Sequence, residues 1–164
     1  MTFEEFKSNV GQWQSDRGIY EHSTSLAQAL KAVSEVGELA DAVIKGDRDA
    51  LKDAIGDVMV CLVGVANMIG IENFDYSEQQ DQISTEIAIG YALRYLSKIV
   101  LCITNVHSSN VDDILISSVI DNMAAVAKLN NLKLLECCES AWHEIKDRKG
   151  KMVAGGAFVK DGDE

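Results

Sequence analysis

Glu35 and Glu38 stand three residues apart and Asp53 and Asp57 four apart, with Gly46 and Asp47 marking a break between the two pairs. Carboxylates at these spacings share one face of a helix. Two such helices packed antiparallel would bring four acids to one spot, where they repel one another unless a cation neutralises them. Oxygen ligands with no His or Cys beside them suit Mg²⁺, Mn²⁺ or Ca²⁺ better than zinc. The chemistry to expect first is therefore that of a hard divalent metal.

The elements that must hold these acids read as helices. The chain of 164 residues has no proline, and its twelve glycines sit mostly at the edges of apolar periodic runs. That pattern favours long helices over hairpins. Thr2 and Glu5 can form a capping box ahead of Phe3, Phe6, Val10 and Trp13, and this first helix ends near Gly18. The segment Ser23 to Lys45 carries Leu26, Leu30, Val33, Ala40, Val43 and Ile44, and Gly46 stops it. Asp47 can cap the next helix, whose Leu51, Ile55, Val58, Leu62, Val65 and Ile69 recur by threes and fours until Gly70. Val60, Cys61 and Val63 widen its apolar surface, which predicts burial on most sides by the bundle or by a second subunit. Gly37 and Gly56, beside the acids, weaken their helices but allow close backbone approach.

After a polar connector from Ile71 to Ser84, the pattern resumes near Ile83 with Ile87, Tyr91, Tyr95, Ile99 and Cys102, and breaks at His107 to Asn110. Further runs use Ile114, Leu115, Val119, Met123, Val126 and Ala127, then Leu134, Cys138, Ala141 and Ile145, with Gly150 as the stop. This gives one all-α domain over residues 1–150, a bundle of about five to six helices, and a Gly-rich arm over 151–164 that is extended or mobile. No internal repeat is present.

A formal net charge of −11 argues against a nucleic-acid-binding surface, which needs clustered Lys and Arg, yet leaves room for a free nucleotide bridged by metal. Cys61, Cys102, Cys137 and Cys138 lack zinc-site spacing and read as reduced, buried thiols of a cytoplasmic protein. The acidic N-terminus is no signal peptide, and the longest apolar stretch, Val58 to Ile71, is too short to span a membrane.

The residues Lys31-x-x-Ser34-Glu35-Val36-Gly37-Glu38-Leu39, followed by Asp53-Ala54-Ile55-Gly56-Asp57-Val58, resemble the MazG-like family of all-α nucleoside triphosphate pyrophosphohydrolases. The family signature is Glu-Glu-x-x-Glu, a spacer, then Glu-x-x-Asp. The likeness is best over residues 12 to 72, and the ending from Ala141 to Met152 is similar to the close of phage-type members. Ser34 replaces the first Glu of the signature and Ala54 the Glu of Glu-x-x-Asp. The resemblance carries Glu35, Glu38 and Asp57 over as metal ligands, while Asp53, one turn before Asp57, is the physical candidate for the missing carboxylate.

The resemblance implies a Mg²⁺-dependent (or Mn²⁺-dependent) hydrolase that releases a nucleoside monophosphate and pyrophosphate, cleansing or reshaping the nucleotide pool. It also implies a homo-dimer or homo-tetramer, in the host cytoplasm if of phage origin. Mg²⁺ would screen the phosphates as a Lewis acid while water attacks the α-phosphorus, with Glu35 or Glu38 taking its proton. Candidate substrate-binding residues are Lys31, which could touch phosphate or pair with Glu35, and the basic cluster Lys146, Arg148, Lys149 and Lys151. Trp13 and Asn67 are further candidates, for a base or sugar. Glu136, Glu139, His143 and Asp147 read as a solvated face. The rival from another class is a catalytically idle helical interaction module with a degenerate metal site.

Overall fold

The computed structural model describes residues 1–77, 84–104, 110–153 and 158–161. Ile83 and His107, and the glycines at 155, 156 and 162 that make the arm Gly-rich, lie outside the described residues. The described helices are α1 (Phe3–Asp16), α2 (Ile19–His22), α3 (Ser25–Lys45), α4 (Arg48–Ile69), α5 (Thr85–Ile103), α6 (Asp113–Leu129) and α7 (Leu134–Ile145), followed by strands β1 (Gly150–Met152) and β2 (Phe158–Lys160). The all-α expectation holds, with one helix more than expected. The addition is α2, a single turn between Gly18 and Ser23 that is too short to show any periodicity.

The helix ends follow the local chemistry of the sequence. Thr2 and Glu5 form the reciprocal capping box, with Glu5 N–H donating to Thr2 Oγ1 at 3.1 Å and Thr2 N–H donating to Glu5 Oε2 at 2.7 Å. The Asp47 carboxylate accepts from the backbone N–H groups of Asp49 and Ala50. Just before it, Gly46 closes α3 at φ 67°, a left-handed conformation that glycine adopts without strain. The tight turn at Gly46 and Asp47 folds α4 back along α3, and this hairpin is the most extensive helix pair in the molecule.

The α3–α4 hairpin lies in one core with the α5–α6 pair and with α1 and α7. Leu39, Ile55, Met59, Leu62, Leu96, Ile99, Ile116, Ile120 and Met123 are fully buried. Helix α4 is buried almost all round, including Cys61 and Val63, as its wide apolar surface predicts. All four cysteines are buried, and none is in a disulfide. Among the described residues, no helix is long and apolar enough to cross a membrane.

The two glycines beside the acids differ. A Cβ on Gly56 would stand 2.6 Å from Ala141 Cβ and 2.7 Å from the Cys137 carbonyl oxygen, so Gly56 is what lets α7 lie directly on α4. A Cβ on Gly37 would meet nothing within 4 Å, so the expected close approach is absent there. Helix α7 ends at Ile145, and Gly150 opens β1 instead of stopping the helix. Strands β1 and β2 pair antiparallel, with Gly150 opposite Lys160 and Met152 opposite Phe158.

Candidate active site

The acids expected from the sequence meet at a cleft of about 770 Å³ walled by α1, α3, α4, α7 and β2. Glu35 and Glu38 reach it from α3, and Asp53 and Asp57 from α4. Glu35 is buried at 3% exposure, and Lys31, one turn earlier, forms an ion pair with it. That hydrogen bond and charge hold the Lys31 ammonium above its ordinary pKa, against a partial burial that works the other way. Ser34 and Glu38 are exposed on the same helix and also line the cleft.

Asp57 shows what this crowding does. Its pKa is pushed up to about 7, first by burial and then by the negative charges of Glu35, Asp53 and Glu144, with Arg148 pulling the other way. Asp53, exposed at the rim, is also raised, by burial of its carboxyl, by the charge of Glu144 and by a hydrogen bond to it. Ala54 is buried and does not line the cleft, whereas Asp53 does, in keeping with Asp53 as the nearest available acid on α4.

Sequence reasoning missed Glu144. It lines the cleft from α7, one turn beyond the Ala141 contact with Gly56, and pairs with Arg148. The available signal was its four-residue spacing from Arg148, which reads equally well as an ordinary surface pair. Of the basic cluster, Arg148 lines the cleft, while Lys146 and Lys149 are exposed and do not. The Arg17 Nε donates to the Arg148 carbonyl at 3.1 Å, tying the end of α7 to α1.

Trp13 lines the cleft and is buried. Asn67 does not join it. Its side chain donates to the Tyr20 hydroxyl at 2.7 Å on a separate, shallower depression beside Lys7 and Phe74. Tyr20 in turn donates to Gln14 Oε1 at 2.9 Å, and Gln14, also missed, is buried in the acidic cleft with its Nε2 donating to the Val60 carbonyl at 3.0 Å. Glu136, His143 and Asp147 are exposed, and Glu139 pairs with the N-terminus, as a solvated face should.

The donor chemistry fits a hard divalent cation. The cleft offers carboxylate oxygens, and burial, followed by the charge of Glu35, keeps the nearby Cys61 thiol protonated and unsuited to ligation. Among the described residues, no three His, Cys, Asp or Glu side chains are grouped so as to hold a metal.

Residues 22–87 match the model of the MazG nucleotide pyrophosphohydrolase domain. An uncharacterized 18.2 kDa protein from the rep-hol intergenic region of Haemophilus phage HP1 is 40% identical over 65 residues, which span 40% of this chain and 40% of that relative. No solved structure gives a significant match. Residues 22–87, which hold Glu35, Glu38, Asp53 and Asp57, are thus similar to the MazG nucleotide pyrophosphohydrolase domain, and the described bundle around them is all-α apart from the short β1–β2 pair.

Proposed function

We propose that the acidic cleft binds a nucleoside triphosphate together with Mg²⁺ or Mn²⁺ and hydrolyses the bond between its α and β phosphates. The observation that carries this reading is the convergence of Glu35, Glu38, Asp53 and Asp57 on one cleft that also holds Lys31, Arg148 and Trp13. Carboxylates alone would suit a cation, and a cation site alone would need no Arg. Acids, cations and an aromatic wall together suit a metal–polyphosphate ligand carrying a planar base.

A bound divalent cation would supply charge neutralisation at the phosphates and polarise the phosphorus under attack. The protein's own residues supply the rest. Glu35, Asp53, Asp57 and Glu38 provide the oxygen donors that hold such an ion. Lys31 and Arg148 exchange their carboxylate partners for phosphate oxygens, and the bidentate guanidinium of Arg148 suits the planar spread of phosphate acceptors. Glu35 is buried and held by Lys31, whereas Glu38 is exposed at the cleft and has room to take a proton from attacking water. The products are a nucleoside monophosphate and pyrophosphate, and the role is cleansing or reshaping of the nucleotide pool.

One observation favours the rival reading of an idle interaction module, namely that the acids are not already gathered at metal-holding distances. Titration with Mn²⁺ followed by electron paramagnetic resonance separates the two. The enzyme reading expects saturable binding that is lost in Asp57→Ala, whereas an idle module binds no more Mn²⁺ than the variant does.

A further inference from the structure

Among the described residues, Trp13 Nε1 is the one buried side-chain nitrogen or oxygen without a hydrogen-bond partner. Buried indole N–H groups normally find an acceptor, and an exception calls for a reason such as a ligand. Trp13 is 7% exposed and belongs to the wall of the acidic cleft. Two glutamines of that wall are already committed. Gln14 is held by Val60 and Tyr20, and Gln28 Nε2 donates to Ser23 Oγ at 3.1 Å.

The surroundings of the ring decide what Trp13 can offer. The Arg17 guanidinium carbon lies over it, 5.7 Å from the centroid, so that face is taken by a cation. Phe158 meets the ring edge-on, at 5.7 Å between centroids and 65° between planes, and lines the cleft itself. Trp13 is thus poorly placed as a stacking platform on the Arg17 side, and the N–H is its unused group. Phe158 arrives on the β1–β2 hairpin, where a Cβ on Gly150 would stand 2.7 Å from the Phe158 ring. A side chain at 150 would meet the Val159 carbonyl oxygen first and the Phe158 ring next, so the glycine is tied to the pairing of β1 with β2 and through it to the position of Phe158.

We propose that Trp13 and Phe158 form the nucleobase wall of the cleft, with Trp13 Nε1 donating to a lone-pair acceptor on the edge of a planar base that packs against Phe158. The inference rests on the reading of the cleft as a nucleotide site. It makes the C-terminal hairpin a determinant of specificity, and makes Trp13 a hydrogen-bond donor in preference to a stacking surface.

The test uses the full chain with Trp142→Phe, so that fluorescence reports Trp13 alone. The probes are AMP, GMP, CMP and UMP, and inorganic triphosphate, each with Mg²⁺. At least one monophosphate should change the emission saturably, and Phe158→Ala should weaken it about tenfold while inorganic triphosphate shifts by less than about twofold. Trp13→Phe, followed by calorimetry, should show the same selective loss and melt no lower than its parent, because it removes an unmet donor. The inference is overturned if no monophosphate binds, if binding leaves Trp13 emission unchanged, or if Phe158→Ala weakens both ligand classes equally. Pyrophosphate release with an unaltered KM in Phe158→Ala would sink the inference while leaving the proposed activity standing. Loss of inorganic triphosphate binding and of all hydrolysis in the parent would remove both.

Discussion

Asp53 on α4 and Glu144 on α7 face the same acidic cleft, where burial and then the charge of Glu144 raise the Asp53 pKa. Like charges at this range disfavour each other's ionised form, so the pair records how much negative charge the cleft concentrates. It exists because Gly56 lets α7 settle onto α4 at Cys137 and Ala141, which carries Glu144 and Arg148 to the acids on the next turns.

The first prediction concerns pH. Asp57, with a folded pKa of about 7 against an ordinary value of 3.8, binds more proton in the folded than in the unfolded state between those values. Its contribution to stability is therefore fully present below about pH 4, falls as pH rises through about 7, and levels off above. In metal-free protein, Asp57→Asn should gain about 1–2 kcal/mol over the parent at pH 8 and much less at pH 5. Urea denaturation at the two pH values measures this, and an equal effect at both would contradict it.

The second concerns Lys31. Its partner Glu35 has a side chain only 4% exposed, whereas Lys45 and Asp41 form a pair in which both members are about two-thirds exposed. Lys31→Ala strands a buried carboxylate and should cost about 1–3 kcal/mol, while Lys45→Ala should cost less than about 0.5 kcal/mol. Equal losses in chemical denaturation would contradict the burial argument.

The third contrasts the two glycines. Gly56→Ala drives a methyl group into Ala141 and the Cys137 carbonyl and should destabilise by about 1–3 kcal/mol, with loss of cleft function as α7 is displaced. Gly37→Ala meets nothing within 4 Å on an exposed helix position and should stabilise by about 0.5–1 kcal/mol. Thermal melts with paired activity assays check both signs.

The fourth is assembly. Ile44, Ile114, Leu30 and Ile87 are 82%, 68%, 53% and 50% exposed, apolar surface that a second copy of the chain can cover. A homo-dimer or homo-tetramer is expected by light scattering, and a mass equal to one chain would contradict it.

Much of this molecule is legible in the sequence because helix geometry is local. Spacings of three and four residues placed Glu35 with Glu38 and Asp53 with Asp57, and capping residues such as Thr2, Asp47 and Gly46 marked the ends. Glu144 was not legible, since its role depends on how α7 crosses α4, a tertiary fact set by the missing side chain at Gly56. Asn67 misled because three turns along one helix carry a residue to a different depression, where Tyr20 holds it. The single turn of α2 and the three-residue strands of the tail are too short for any period to show. Phe158 enters the cleft through strand pairing that a Gly-rich tail does not advertise.

The central claim is that the acidic cleft hydrolyses nucleoside triphosphates between the α and β phosphates. Incubating the protein with a panel of ribo- and deoxynucleoside triphosphates and Mg²⁺, with the products separated by chromatography, tests it most directly. The account predicts monophosphate and pyrophosphate in equal amounts from at least one nucleotide, with the rate falling at least about a hundredfold in Asp57→Ala and Glu35→Gln. Release of orthophosphate with a diphosphate product, or no release from any nucleotide, would contradict it.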